Sequence, residues 1–478
     1  MKKYSIILLS VLLAACQPHF DMVPPDGSGP VAQEFTENWY VTQNGSGSKD
    51  GSDWSNALPF KTLIQRISSS AASFSDAGIH IQEGTYLLNA KDSCIVLNSD
   101  ILCIRGGYSS DLKYDDLSKC DPDMYPTIFT GDVNGDGVAN DGDAAFAYVS
   151  EASVRFENIT FRNFYLSPAL NSKLGSKGGA VFGINGQYLT TSVECRNCIF
   201  EGNANGISSS ANQEGGPCAY VWEGYFKARG CAFIGNAANS RGGAIRTNGK
   251  SAVIFLDACF FKGNRIEAQW GSAIQNSAGV ICANNCTMIQ NTGAGSTLNG
   301  GGAFFLANCT ILDDAEPSGS NNAAFRCESK ANCGTMLINN VLGSTNAAGY
   351  GLILNAGGTL LSKGYNLIKS AYLADGCSDP TLTSDLKKDV VLAGSLDEDA
   401  FCWEWDFDQI KDDFLEFAVT DDVYDAAVLF DPSGYCSIAV LGRAFATWAT
   451  PNAFAVDCRG EIRGDDGFQP GAYDPNLD

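Results

Sequence analysis

A short motif recurs along the middle of the chain, and this repeat constrains the fold more than any other feature of the sequence. Each copy begins with cysteine, has an apolar residue two positions later and ends in a polar residue, usually asparagine. The copies are CIFEGN at 198–203, CAFIGN at 231–236, CFFKGN at 259–264 and CTMIQN at 286–291, followed by CTILDD from Cys309. Successive cysteines are 33, 28, 27 and 23 residues apart. Self-similarity at such a period predicts a solenoid, in which each repeat packs on its neighbours.

A second repeated segment lies between these copies and begins with glycine. Its members include GGAV at 178–181, GGAI at 242–245, GSAI at 271–274 and GGAF at 301–304. Helical repeats of similar length are the competing architecture, but both segments alternate β-branched and aromatic residues and contain no adequate helical stripe. We therefore predict an all-β protein, a parallel β-helix with a Gly-led and a Cys-led strand in each of about ten or eleven coils.

Like residues of successive coils are expected to stack inside the solenoid. Cys198 and Phe200 are two residues apart and so face the same side of a strand. Asn203 follows in a turn, where asparagine tolerates a left-handed backbone and its amide pairs with amides of adjacent coils. The predicted ladder contains Cys198, Cys231, Cys259, Cys286 and Cys309, with Asn203, Asn236, Asn264 and Asn291.

The chain has 18 cysteines, which in an exported protein normally indicates a disulfide framework. Small domains need such crosslinks because their cores are small, whereas a folded region of about 440 residues buries ample apolar surface. Several cysteines also recur at one repeat position. We therefore predict mostly buried free thiols, and core packing instead of a zinc site for the Cys195 and Cys198 pair.

The N-terminus predicts export. Lys2 and Lys3 precede an apolar run, residues 6–15, which is too short for a permanent membrane helix. The end of the run, Leu13-Ala14-Ala15-Cys16, resembles the lipobox of bacterial lipoproteins, and this resemblance implies cleavage before Cys16 and lipidation of its thiol. The predicted organisation is a signal peptide at 1–15, a tether at 16–37, the β-helix with its N-terminal cap at 38–368, and C-terminal coils and cap at 369–478.

The charge of the chain excludes some partners. Its formal net charge is −23, and removal of the signal peptide with its two lysines makes the mature chain more acidic. Such a surface repels nucleic acid and anionic lipid, so we expect no nucleic-acid partner. It also disfavours an acidic polysaccharide, unless local Lys or Arg residues or bound cations overcome the field.

Two family resemblances add to this prediction. The Gly-Gly-Ala-Ile and Phe-x-x-Asn pairs resemble the repeats of polymorphic outer membrane proteins, which are right-handed parallel β-helix adhesins. The flanks resemble the broader group of choice-of-anchor β-helix proteins, in WYVTQNGSGSKDGSDWSNAL from Trp39, TIFTGDVNGDGVANDGDAAFAYV from Thr127, GYNLI at 364–368 and DCRGEIRGDDGFQPGAYDP from Asp457. The two resemblances imply a right-handed parallel β-helix that has a short α-helix as its N-terminal cap and an irregular C-terminal cap.

Candidate sites are few. The only histidines, His19 and His80, lie in the tether and at a strand start, so a histidine-based catalytic centre is not expected. One loop has the spacing of a calcium loop, where hard oxygens surround the ion, although an Asx-rich turn is the competing interpretation. Its proposed ligands are Asp132, Asn134, Asp136, Asn140 and Asp143. Trp403 and Trp405 share one strand face and are candidates for sugar stacking or for packing a cap.

The anchor, the tether and the adhesin-like repeats together favour a non-enzymatic, lipid-anchored protein of the outer membrane and cell surface. Its expected partners are the membrane, through the lipid, and a host protein or polysaccharide. Calcium is the one cofactor to consider. The first alternative is a polysaccharide lyase or glycoside hydrolase acting in a groove along the coils. The second alternative is a structural envelope protein.

Overall fold

The computed structural model describes residues 35–387 with short gaps, the longest at 207–214 and 314–321, and also residues 394–397, residues 402–405 and Ala472. Almost every regular element is a β-strand, and parallel pairing links each coil to the next. The fold is the predicted right-handed parallel β-helix. No helix among the residues just listed is long and apolar enough to cross a membrane.

Three parallel sheets run along the helix, and a coil visits them in the order sheet 1, sheet 2, sheet 3. The strands of sheet 1 are Ile95–Leu97, Ala147–Val149, Phe182–Asn185, Ala219–Arg229, Ile245–Thr247, Ile274–Asn276, Leu298–Gly300, Ala323–Cys327, Tyr350–Leu354 and Ala371–Leu373. The strands of sheet 2 are Glu37–Thr42, Leu58–Pro59, Phe74–Gln82, Ile101–Tyr108, Ser153–Glu157, Ser192–Arg196, the second half of Ala219–Arg229, Ala252–Asp257, Val280–Asn284, Ala303–Ala307, Thr335–Ile338 and Leu360–Ser362.

In the described part of the chain sheet 3 has eleven strands, which agrees with the predicted number of coils. They are Gly84–Leu87, Thr127–Thr130, Thr160–Arg162, Ile199–Glu201, Ala232–Ile234, Phe260–Lys262, Thr287–Ile289, Thr310–Asp313, Val341–Ser344, Leu367–Ile368 and Leu386–Lys387. A small parallel sheet adds Tyr165–Leu166, Ala204–Asn205, Ala237–Ala238 and Arg265–Ile266, and an antiparallel pair adds Gly394–Asp397 and Cys402–Trp405.

The interior is filled by rows of stacked side chains. The register of sheet 3 places Phe161, Phe200, Phe233 and Phe261 in one row. Phe200 and Phe233 stack with centroids 4.7 Å apart, and Phe233 and Phe261 with centroids 4.4 Å apart. Stacked rings at this spacing follow from the separation of neighbouring parallel strands, so the repeated phenylalanine specifies the register of the coils.

Helix α1, Phe60–Ile67, closes the N-terminal end of the stack, as predicted. Its buried residues Phe60, Leu63 and Ile67 recur with helical spacing and belong to the main core. Phe60 lies against Tyr86 and Phe129, with ring centroids 4.6 and 5.2 Å apart. Two further helical elements are α2, Pro168–Lys173, and a 3₁₀ turn, Trp54–Asn56. The helix therefore covers the first aromatic rungs of the interior.

The structure corrects three details of the prediction. Each coil has a third strand, in sheet 2, in addition to the two predicted strands. The segment 80–86 is split between the strands that end at Gln82 and begin at Gly84. The left-handed residue of the turn is Gly202, at φ 63°, and not Asn203. Glycine occupies that position because it has no Cβ to penalise a positive φ.

Candidate functional site

A surface groove of about 530 Å³ lies over sheet 3 near the N-terminal end of the helix. Its floor consists of outward-facing side chains in two register rows of sheet 3. Thr85, Ile128 and Thr160 form one row, and Leu87, Thr130 and Arg162, each two residues further along its strand, form the other. The lining residues are Gln43, Thr85, Leu87, Ile128, Thr130, Asp132, Gly137, Arg162 and Asn163. Mixed hydroxyl, amide, charged and aliphatic groups suit a polyhydroxylated ligand.

The rim of the groove is the predicted acidic loop, which leaves sheet 3 at Thr130 and returns to sheet 1 at Ala147. Carboxylate oxygens of Asp132, Asp136 and Asp143 lie within 4.8 Å of one another. Asp132 accepts backbone N–H groups from Gly135, Asp136 and Gly137 at 2.8–3.1 Å. Strands, and not helices, flank the loop.

Asparagine side chains complete the cluster. Asn134 and Asn140 both donate to Oδ2 of Asp136, at 3.0 and 2.6 Å, while their own Oδ1 atoms accept the backbone N–H groups of Asp136 and Gly142. The donor set is therefore entirely oxygen, with three carboxylates and two amides. This set fits calcium, which takes six to eight oxygen ligands, better than zinc or a softer metal.

The loop carboxylates differ in environment. The Asp143 side chain is fully buried, and burial raises the pKa of its carboxyl against the opposing effect of backbone donors such as Val133 and Asn140. Asp136 is exposed, and the backbone N–H of Val138 lowers the pKa of its carboxyl. Asp143 thus ties the backbone of the loop together from a buried position, while Asp136 faces solvent.

The floor of the groove carries one ion pair that sequence analysis did not identify. Arg162 Nε donates to Glu201 Oε2 at 2.7 Å, across neighbouring strands of sheet 3. Both side chains are 42% exposed, so a bound ligand can reach them. A guanidinium remains protonated in proteins, so Arg162 can bind an anion or a sugar hydroxyl but cannot act as a base.

A second charged cluster lies on the outer face of sheet 2. Arg105 pairs with Glu157 at 2.6 Å, and Arg155 and Arg196 flank Glu194. Burial opposes ionisation of Glu194, but Arg155 and Arg196 outweigh it and hold the pKa of that carboxyl below its usual range. Opposite charges alternate along these strands, which accounts for the cluster as a packing feature.

Lys227 continues this cluster, in register with Glu194. Burial lowers the pKa of its ammonium group to about 8, against the opposing effect of Glu194. The ammonium nitrogen lies 5.5 Å from the ring centroid of Tyr225 and 6.0 Å from that of Phe255. Lys227 is in sheet 2, whereas the groove lies over sheet 3.

His80 is a buried structural residue. Its ring nitrogens lie 2.9 Å from the Tyr108 hydroxyl and 2.9 Å from Oδ1 of Asn38. Because Asn38 Oδ1 can only accept, Nε2 carries the proton and Nδ1 accepts from the tyrosine. Burial lowers the pKa of the ring to about 3, with a further contribution from Arg105. These contacts give His80 no access to the groove.

The cysteines singled out from the repeat are buried in the interior. Each precedes a short strand of sheet 3, and the backbone N–H of Cys198 donates to Sγ of Cys231 at 3.4 Å. Their relative exposures do not exceed 2%. The residues are Cys198, Cys231, Cys259, Cys286 and Cys309, and all five are free thiols.

The asparagines of the repeat are linked by their side chains. Asn236 donates from Nδ2 to the Phe200 carbonyl and to Oδ1 of Asn264, at 2.9 Å each. Its own Oδ1 accepts from the backbone and side-chain nitrogens of Asn203, and Asn264 repeats the arrangement with Asn291. The four amides thus satisfy each other and the turn backbone inside the core.

Trp403 and Trp405 lie in the antiparallel pair, opposite Leu396 and Gly394. Their strand contacts the strand Thr287–Ile289 of sheet 3, and their side chains lie outside the described part of the chain. Cys16, the signal peptide and most of the tether also lie outside it.

The fold and the groove define a parallel β-helix protein with an open lateral groove. No protein-family model matches the sequence, and no curated protein matches it. Among solved structures, the crystal structure of pectate lyase Pel9A is similar, with a TM-score of 0.41 and 13% sequence identity. The match covers 92% of this chain and 96% of that chain.

Proposed function

We propose that the chain is a lipid-anchored protein of the outer membrane and cell surface that binds a glycan without catalysis. The groove over sheet 3 supports this function best. It is open, it lies on the side of the rod, and its lining alternates hydroxyl and amide groups with Leu87 and Ile128. Such a lining contacts both faces of a sugar ring, since the polar groups bind hydroxyls and the aliphatic groups cover the apolar ring face.

Two features of the groove make an acidic glycan possible despite the charge of the chain. Arg162 contributes a cation to the floor. The acidic loop at the rim, in our proposal, holds a calcium ion through Asp132, Asp136, Asp143, Asn134 and Asn140. A bound divalent cation would offset two of the three carboxylate charges and attract a uronate or sulfate group through its own coordination positions. Sugar binding is then expected to require calcium.

The test is a glycan array probed with the full chain carrying Cys16→Ser to prevent lipidation. We expect binding that falls at least tenfold in Arg162→Gln. Lys262→Gln is the matched control, because Lys262 occupies the same outward row three strands further along sheet 3. If the chain binds no glycan on the array and no host matrix protein, the result contradicts the proposal and favours the structural envelope role.

A polysaccharide lyase acting on the outer face of sheet 2 is the second candidate. Lys227, which lies on that face near the rings of Tyr225 and Phe255 and outside the groove, is the observation that favours it. Its lowered pKa places a fraction of the amine in the free-base form near neutral pH, next to Glu194 and two strands from Arg155 in the same register row. A lyase would use such a base to remove the proton next to a uronate carboxylate. Unsaturated products that absorb in the ultraviolet, lost in Lys227→Gln and retained in Lys262→Gln, would establish this activity in place of simple binding.

A further inference from the structure

A second polar and aromatic surface lies on the outer face of sheet 1, away from the groove. Tyr148 and Gly183 share one outward register row, and the residues on either side of each in its strand belong to the interior core. Asn185 follows Gly183 by two residues and therefore lies on the same side of the sheet. We call Tyr148, Asn185, Lys177 and Trp222 the sheet 1 platform, and all four side chains are half-buried.

Trp222 is placed by an irregularity in the strand Ala219–Arg229. The register of this strand with the preceding one shifts by one residue between Ile184 and Asn185, and Trp222 is the extra residue that has no partner in that strand. A β-bulge of this kind redirects the side chain of the extra residue, and bulges recur beside functional sites. The strand passes here from sheet 1 to sheet 2, so Trp222 stands at the corner between the two sheets.

Lys177 reaches the platform from the segment that follows α2. A Cβ at Gly183 would lie 2.8 Å from the carbonyl oxygen of Lys177, so glycine at that position lets the segment pack on the sheet. Lys177 Nζ donates to Asn185 Oδ1 at 3.1 Å and lies 4.8 Å from the ring centroid of Trp222. Among the residues that the structure describes, no carboxylate forms an ion pair with this ammonium group. An ammonium group has three donors, so the bond to Asn185 leaves two for a ligand.

Asn185 also fixes a second donor. Its Nδ2 donates to the hydroxyl oxygen of Tyr148 at 2.8 Å, which leaves the hydroxyl proton of Tyr148 for a ligand. Burial raises the pKa of this hydroxyl, so Tyr148 keeps its proton at neutral pH. The platform thus presents an ammonium donor and a hydroxyl donor on either side of one amide, next to an indole ring.

We propose that the sheet 1 platform binds an acidic sugar residue through its carboxylate, independently of calcium. Lys177 pairs with the carboxylate, Tyr148 donates to a carboxylate or ring oxygen, and the indole of Trp222 packs against the apolar surface of the sugar ring. The formal net charge of the chain is −23, so a cation without a carboxylate partner among the described residues is a local site for an anion on a surface that otherwise repels anions. No platform residue lines the groove, so the site does not depend on glycan binding there.

Titration of the full Cys16→Ser chain with methyl glucuronide, in the presence of EDTA and followed by saturation-transfer NMR, tests this site. Methyl glucoside supplies the sugar ring without the carboxylate, and acetate supplies the carboxylate without the ring. We expect saturation transfer to the glucuronide, with an affinity on the order of tenfold higher than that of either partial probe. Absence of transfer overturns the inference, and so does equal affinity for methyl glucoside or for acetate.

Variants locate the bound glucuronide. Lys177→Gln should weaken binding on the order of tenfold, whereas Lys177→Arg keeps the cation and should keep the binding. Tyr148→Phe, which removes only the hydroxyl, should weaken it by a smaller factor. Lys173→Gln is the matched control, because it removes an exposed charge at the end of α2, four residues from Lys177.

Lys173→Gln and the groove variant Arg162→Gln should both bind glucuronide as the unmodified chain does, and unfolding temperatures check that every variant is folded. Equal losses in Lys177→Gln and Lys173→Gln would identify a non-specific charge effect and overturn the inference. A loss in Arg162→Gln alone would place the glucuronide in the groove, which also overturns it. Failure of glycan binding in the groove leaves the expected result at the platform unchanged.

Discussion

At the residue scale, the turn that precedes most strands of sheet 3 has a left-handed backbone. Asparagine or glycine fills this position in most coils, as in Asn197, Gly230 and Asn285, but Ala258 fills it in one coil at φ 48°. Alanine pays a steric penalty there that glycine avoids. We expect Ala258→Gly to stabilise the protein by up to about 1 kcal/mol, after the larger chain entropy of unfolded glycine is subtracted.

Thermal unfolding measures this effect, with Ala232→Gly as the matched control. Ala232 lies within a strand of sheet 3, at a position absent from the positive-φ residues, so the same substitution there should lower the unfolding temperature. Equal shifts in the two variants would show that the left-handed turn stores no strain.

His80 provides a pH-dependent prediction at the same scale. The folded protein keeps the ring neutral down to about pH 3, whereas the unfolded chain takes up a proton near pH 6.5. Between about pH 6.5 and pH 3 the unfolded state therefore binds more protons than the folded state. The stability that His80 contributes is fully present above this pH range and is lost as the pH falls through it. Unfolding temperatures measured from pH 7 to pH 3 should fall less steeply in His80→Gln than in the unmodified chain.

At the element scale, the asparagine ladder combines several hydrogen bonds in each rung. Asn236→Ala removes the side-chain donor to the Phe200 carbonyl, the acceptor of the Asn203 backbone N–H and one of the two acceptors of Asn203 Nδ2 in the buried interior. Because buried polar groups without partners are costly, we expect a loss of about 2–4 kcal/mol in the free energy of unfolding. Asn248→Ala, at a half-buried site with a side-chain hydrogen bond to the Tyr220 hydroxyl, should cost about 1 kcal/mol or less.

The acidic loop is the second element with a testable property. If calcium binds the folded state and not the unfolded state, a free calcium concentration one hundred times the Kd raises the free energy of unfolding by about 3 kcal/mol. We expect calcium to raise the unfolding temperature of the full chain and Asp136→Asn to abolish most of that rise. Asp141→Asn is the control, since Asp141 lies in the same loop but outside the carboxylate cluster. Identical calcium responses in both variants would identify the loop as an Asx-rich turn.

The elements also show what the sequence could predict. The Cys, Phe and Asn positions repeat in identity, so sheet 3 and its interior rows were predictable. The sheet 2 strands carry SVRFE at 153–157 but VICAN at 280–284, and without a shared residue type they gave no repeat signal. The acidic loop could be predicted because its candidate ligands are close together in the sequence. The groove could not be predicted, because it brings together residues as distant as Gln43 and Arg162, and only the register of the coils places them side by side.

At the scale of the whole molecule, the stack is quasi-one-dimensional, so its ends should open before its centre. The strands that follow Cys198, Cys231, Cys259, Cys286 and Cys309 are the fourth to eighth of the eleven in sheet 3. Fraying of the terminal coils leaves these thiols enclosed. Burial also raises the pKa of Cys198 and Cys286 well above that of a free thiol, which suppresses the reactive thiolate.

We therefore expect the five thiols to be modified together, and only at the urea concentration where the central coils unfold. Pulsed alkylation followed by mass spectrometry at each cysteine measures this. The half-buried Cys94 and Cys120, in the N-terminal coils, serve as internal references and should react at lower urea. Modification of one ladder cysteine in the native protein, or its recovery in a disulfide, would contradict the assignment, because a continuous stack cannot expose a central rung alone.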